Sequence, residues 1–236
     1  MMQHIGIVAC SAEGASLCYR TICAEGARLL GAHRHPEVSL HSLPLADYVA
    51  ALDNGDLEAV ACLMLRSAEK LAAIGADLLV CPDNTVHQAY ALVAPRSPRP
   101  WLHVAEVVAA EAAWRGLRRV GLVGTRWLVR SAVYPNALAA HGLACVLPSP
   151  AEIAQVDRII MDELVPGLPA ADAVEAFRAI FGRMEVRGCE AVILGCTEIP
   201  LVMNDANSPL PTLDSTRLLA RAALQRALEP LSGVPG

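Results

Sequence analysis

Short apolar runs alternate along this chain with longer stretches of helical spacing. Ile5-Gly6-Ile7-Val8-Ala9, Val38 to Ser42, Asp77 to Cys81, Val120 to Val123 and Val192 to Leu194 read as strands. Most carry apolar residues at successive positions, the mark of a strand covered on both faces. Between them the spacing predicts helices from about Ser16 to Leu30, stopped by Gly31, and from Leu57 to Ile74, closed by Gly75. Helical spacing resumes over Trp101 to Trp114, near 129–141, 151–164 and 171–187, and from about Ser215 to Leu228. Strands alternating with helices of this length specify βαβ units and a parallel sheet.

An internal repeat organises the pattern. Gly75-Ala76-Asp77-Leu78-Leu79-Val80 superposes on Gly188-Cys189-Glu190-Ala191-Val192-Ile193 with an offset of 113 (75 to 188), and Gly6-Ile7-Val8 on Gly121-Leu122-Val123 with an offset of 115 (6 to 121). The expected fold is therefore α/β: two pseudo-symmetric Rossmann-like lobes, each a parallel sheet flanked by helices. The Pro-rich stretches 95–100 and 208–211 are the candidate crossings. They give an N-terminal lobe of 1–98 plus 212–236 and a C-terminal lobe of 99–211. Ligands of parallel sheets bind at the carboxyl ends of strands. The offset of 113 carries Asp83 to Cys196, so these two residues are expected to face each other from equivalent strand ends across a cleft between the lobes.

Composition narrows the function. The chain is 54% hydrophobic and 18% charged, with a formal charge of −5. That leaves no basic footprint for nucleic acid, and the 4% aromatic content leaves little for base stacking. No apolar run reaches the roughly 20 residues of a membrane helix. The start, Met1-Met2-Gln3-His4, leads directly into a strand without a signal-like segment, so the expected location is cytoplasmic. Eight cysteines occur without a Cys-x-x-Cys pair or zinc spacing, so neither a metal site nor a disulfide framework is expected. The loop Cys10–Ala15 lacks the G-x-G-x-x-G pattern, and no dinucleotide or other cofactor is expected.

The candidate chemistry is proton transfer. A thiol titrates near 8.5 and is lowered by N–H donors or cations, which suits Cys196 to abstract a weakly acidic proton. Asp83 is a weaker base unless burial raises it. Two such groups on opposite faces of a carbon can invert it. Asn84, Thr85, Thr125, Thr197 and Glu198 supply a polar ring for a carboxylate and for charge developing on it, although Asn84 and Thr85 would serve equally to cap a helix. Ser11 sits before a helix start that could bind an anion. Val86 is a candidate for side-chain specificity, and His87 and Asp47 are supporting candidates.

Asn84-Thr85-Val86-His87 and Leu194-Gly195-Cys196-Thr197-Glu198-Ile199-Pro200-Leu201 resemble the two signature motifs of the aspartate/glutamate racemase superfamily. Val123-Gly124-Thr125-Arg126 resembles the loop that opens its second lobe, and Pro211–Thr216 its closing segment. The resemblance implies two lobes, cofactor-independent racemisation or epimerisation at the α-carbon of an Asp/Glu-type amino acid or related small carboxylate, and a homodimer. It also places Ser42 and Asp47 on a pocket-lining loop. The position before Asn-Thr, usually the first catalytic cysteine of the family, is Asp83 here, and a second expected threonine is Leu128. Two alternatives remain open: a single-thiol decarboxylase or isomerase of a malonate-like or unsaturated diacid, and a non-catalytic small-acid-binding protein.

Overall fold

The computed structural model describes residues 2–168 and 172–229. In chain order its elements are β1 (Ile5–Ala9), α1 (Ala12–Leu30), β2 (Val38–Ser42), α2 (Leu45–Asp53), α3 (Leu57–Ala73), β3 (Leu78–Val80), α4 (Tyr90–Val93), β4 (Trp101–Leu102), α5 (Val104–Trp114), β5 (Arg119–Val123), α6 (Arg126–Val129), α7 (Val133–Ala140), β6 (Ala144–Val146), α8 (Pro150–Arg158), α9 (Ala173–Val186), β7 (Ala191–Leu194), β8 (Thr212–Asp214) and α10 (Ser215–Leu228). The strands form two parallel four-stranded sheets, β2-β1-β3-β4 and β6-β5-β7-β8. The same strand order recurs in both, and so does the register. Gly6 pairs with Leu79 in the first sheet and Gly121 with Val192 in the second, which are the positions the two sequence offsets relate.

The chain divides into two compact units. One comprises residues to Pro82, Ala89–His103 and residues from Leu219; the other comprises Asp83–Gln88 and Val104–Leu218. The expected crossings at 98/99 and 211/212 thus stand beside observed ones at 82/83, 88/89, 103/104 and 218/219. Met1, residue 171 of the expected helix 171–187, and residues 230–236 of the expected N-terminal lobe lie outside the described residues.

In the second unit β7 separates two apolar clusters by simple alternation. Val192 and Leu194 pack with Phe177, Ile180 and Phe181, while Ala191 and Ile193 pack with Val108, Tyr134 and Leu138. Because helices cover both faces, every residue of β7 is buried, and no polar position breaks the run.

The structure corrects several expected elements. Helix α1 starts at Ala12 rather than Ser16, because the Ser11 hydroxyl accepts from the Gly14 N–H and caps the helix four residues earlier. Trp101–Leu102 is strand β4, pairing with Leu79–Val80, and the helix begins at Val104. The expected helix near 129–141 is two helices, α6 and α7. Strands β4, β6 and β8 went unread because each spans only two or three residues at a sheet edge, too few to show a period. Asp47 lies in the first turn of α2 rather than on a loop.

Candidate active site

Three strand ends of the second sheet build the site. Val123 of β5 and Asp214 of β8 both pair with Leu194 of β7. The residues that follow, Gly124-Thr125, Gly195-Cys196 and Ser215, therefore emerge at one carboxyl edge. The ladder runs one residue past β7, since the Gly195 N–H donates to the Val123 carbonyl at 2.8 Å. Side chains do not fit at this crossing. A Cβ on Gly195 would lie 2.8 Å from the Val123 carbonyl oxygen, and one on Gly124 3.0 Å from that of Gly195. Leu128 fills the space the two glycines leave, its Cδ2 within 2.8 Å of both positions.

The segment Asp83–Gln88 docks on this edge through side chains. Asn84 bonds to two residues of the edge: its Nδ2 donates to Ser215 Oγ at 3.0 Å, and its Oδ1 accepts from the Tyr134 hydroxyl at 2.6 Å. Ser215 in turn donates to the Leu194 carbonyl. The hydroxyls of Thr85 and Thr125 lie 2.9 Å apart, and Thr125 also accepts from the Leu128 N–H as the cap of α6. His87 accepts at Nε2 from the Val104 N–H, which leaves its ring proton on Nδ1 for the Asp83 carbonyl at 2.8 Å. Asp83 is half-buried and the other groups are buried. The capping role considered for Asn84 and Thr85 falls instead to Asp83, whose Oδ1 accepts from the N–H groups of Thr85 at 2.9 Å and Val86 at 3.2 Å.

On the other side of the edge, Cys196 donates its thiol proton to Glu198 Oε2 at 3.0 Å, and the Thr197 hydroxyl donates to the same oxygen at 2.8 Å. Glu198 is 3% exposed. Burial, with the Glu198 charge adding to it and the two N–H bonds pulling the other way, pushes the Asp83 carboxyl up to about 6. Burial also drives the Cys196 thiol well above its usual range, with Glu198 adding to the rise as charge and as acceptor, and Asp83 as charge. The lowered thiol expected from the sequence is therefore corrected. A thiolate beside a buried carboxylate is disfavoured, so Cys196 is a neutral thiol at pH 7.

Asp83, Asn84, Thr85, Val86, His87, Thr125, Cys196, Thr197 and Glu198 belong to the second unit, and Ser11, Ser42 and Asp47 to the first. Ser11 acts there as the cap of α1, and Ser42, the last residue of β2, donates to the Leu43 carbonyl. Two members of the site escaped sequence reasoning. Ser215 follows a three-residue strand that was not expected, and nothing in the spacing around Tyr134 marks its hydroxyl as bound for Asn84. Among the described residues no three His, Cys, Asp or Glu side chains cluster as metal ligands, and no helix is long and apolar enough to cross a membrane.

A twice-repeated parallel α/β sheet with a thiol and a carboxyl at one strand-end edge is a fold that matches solved racemase structures. Residues 7–223 match the model of the Asp/Glu/hydantoin racemase family, and the chain belongs to that family. It is 22% identical over 198 residues to the broad specificity amino-acid racemase RacX of Bacillus subtilis, covering 82% of this chain and 83% of that protein. It is 36% identical over 124 residues to a glutamate racemase of Thermus thermophilus, covering 51% of this chain and 43% of that enzyme. Among solved structures, an aspartate racemase homologue from Pyrococcus horikoshii superposes with a TM-score of 0.83 at 27% identity, over 97% of this chain and 100% of the other. The glutamate racemase isoform RacE1 of Bacillus anthracis shares the fold at a TM-score of 0.65 and 20% identity, over 93% of this chain and 79% of that one.

Proposed function

We propose that this protein is a cofactor-independent amino-acid racemase or epimerase that moves a proton at the α-carbon between Asp83 and Cys196. The observation that carries the reading is the pairing of unlike proton carriers in one unit: a carboxyl raised to about 6 and a neutral thiol hydrogen-bonded to Glu198. Above pH 6 the resting pair is a carboxylate and a thiol. The carboxylate of Asp83 removes the α-proton from one face, and the Cys196 thiol gives its proton to the other face of the resulting carbanion. The enzyme is left with protonated Asp83 and a Cys196 thiolate, and proton exchange with water restores the starting pair. Glu198 orients the thiol and makes it the donor. Asn84, Thr85 and Thr125 hold the segment that carries Asp83.

The reading extends to a small amino acid or related carboxylate as substrate, a cytoplasmic homodimer, and no role for nucleic acid or membrane. The relatedness to RacX and to glutamate racemase, proteins named for amino-acid racemisation, supports it. The test is incubation with single enantiomers of amino acids in D₂O, following the α-proton by NMR and rotation by circular dichroism. Absence of both inversion and α-deuterium for every amino acid refutes the proposal. The ascending limb of kcat/KM should fall near pH 6 if Asp83 is the base.

One observation favours a second reading. A thiol held neutral is suited to deliver a proton to one face only, as in decarboxylation of a substituted malonate. Cys196-dependent release of carbon dioxide from such malonates, without exchange at amino-acid α-carbons, selects that reaction.

A further inference from the structure

The short helix α6 touches both halves of the strand-end edge. Its cap, Thr125, meets the Thr85 hydroxyl at 2.9 Å, and the Thr85 N–H donates to Asp83 Oδ1 at 2.9 Å. Its third residue, Leu128, fills the space beside Gly195, the neighbour of Cys196. Four residues make a single turn, too short to keep helical geometry without outside contacts. Asp157 supplies such a contact. Its Oδ1 accepts from the Arg126 N–H at 2.8 Å and its Oδ2 from Arg126 Nη1 at 2.9 Å. One carboxylate thus grips both the backbone and the side chain of the residue after Thr125, and a two-oxygen, charge-assisted grip fixes direction as well as distance. The carboxylate is itself on a firm support. It stands near the end of α8, whose start is closed by a capping box between Ser149 and Glu152. Val156, Ile159 and Ile160 beside it lie in the buried cluster that includes Val192 and Leu194 of β7.

We propose that Asp157 is a positioning residue of this site: it holds the start of α6 so that Thr125 keeps Thr85, and with it Asp83, in the place that proton abstraction requires. This rests on the racemase reading of the same site and adds a residue that acts only through Arg126 and Thr125. A misplacement of about 1 Å caused far from the reacting atoms can cost on the order of 10²-fold in rate. Asp157 contributes to where the base stands and not to how the substrate is bound. Its loss should therefore appear in kcat and leave KM nearly as it was.

The experiment measures kcat and KM for α-deuterium exchange, with the amino acid that the parent exchanges fastest, in the parent, Asp157→Ala, Asp157→Asn and Arg126→Ala. Asp157→Ala is expected to lower kcat by about ten- to a hundredfold with KM within about threefold of the parent. Asp157→Asn keeps an oxygen that can accept from the Arg126 N–H, and Arg126→Ala keeps that backbone bond while losing the side-chain arm. Both should fall between the parent and Asp157→Ala, a graded rescue that a loss of stability alone does not produce. Thr125→Val should also lower kcat, and adding Asp157→Ala to it should cost less than in the parent, because the two act along one path. A parent-like kcat in folded Asp157→Ala overturns this inference and leaves the racemase reading standing. So does a loss confined to KM, or full additivity with Thr125→Val. If Asp157→Ala does not fold, a parent-like kcat in both Asp157→Asn and Arg126→Ala overturns it. No exchange by the parent with any amino acid overturns both.

Discussion

Replacing Asp83 with asparagine tests the electrostatic account of the site without requiring a substrate. Asparagine keeps the shape and a carbonyl oxygen that can accept from the Thr85 and Val86 N–H groups. It removes only the ionisable charge. The carboxyl moves from 3.8 to about 6 on folding, so the native state binds more protons than the unfolded chain between those values. Stability of the native protein therefore falls as pH rises through that window, and the loss is complete above about pH 7. At about 1.36 kcal/mol per unit, a shift of this size corresponds to up to about 3 kcal/mol. The asparagine variant does not bear this penalty.

The difference between the two proteins should thus depend on pH in a defined direction. At pH 4.5, inside that window, about 1 kcal/mol is already lost and the Asp83→Asn protein should melt a few degrees above the parent, whereas at pH 8 the gap should be at its widest. At about 2 to 4 °C per kcal/mol for a chain of this size, the gap should reach roughly 6 to 12 °C. Fluorimetry at half-unit pH steps, both proteins in the same buffer series, measures it. A difference that stays flat from pH 4.5 to 8 refutes the raised carboxyl, and one that narrows with pH means the group is held below its ordinary value. The variant should at the same time lose α-proton exchange, which separates this gain in stability from any gain in function.

The remaining predictions concern the thiol and the strand crossing. Cys196→Ser should lower α-proton exchange by about 10²- to 10⁴-fold, the range of a positioned acid–base group, with the melting temperature within a few degrees of the parent; an unchanged rate removes Cys196 from the reaction. Glu198→Gln should bring the Cys196 thiol down toward its ordinary range, because Glu198 raises it as both charge and acceptor. Alkylation of Cys196 by iodoacetamide at pH 8, read by peptide mass spectrometry, should therefore speed up; slower alkylation contradicts that account. Gly195→Ala should destabilise by about 1 to 3 kcal/mol, since its methyl would meet the Val123 carbonyl oxygen and Leu128. A urea midpoint equal to the parent's shows that the crossing can relax.

The extent to which sequence disclosed this site follows from the kind of force acting at each residue. Cys196 could be read because a β-branched run ending in Gly is a local signal, and the repeat offset then pointed to Asp83. Glu198 was visible as a neighbour of the thiol, but its effect was not. Whether a carboxylate raises or leaves a thiol depends on burial and on which atom accepts the proton, and only the geometry gives both. The expectation of a lowered thiol failed for that reason: strand-end N–H groups were assumed to act on sulphur, while the dominant influences are desolvation and Glu198. The Asn84 amide bonds to Ser215 and Tyr134, residues 131 and 50 positions away. Contacts of that range leave no period in a sequence. They fix Asp83 on the same strand-end edge as the thiol, so its placement depends on a serine after an unread strand and on a tyrosine hydroxyl whose partner nothing local marks. The repeat offset relates Asp83 to Cys196 in the sequence; the burial and hydrogen bonds that set their charge and proton state are visible only in the fold.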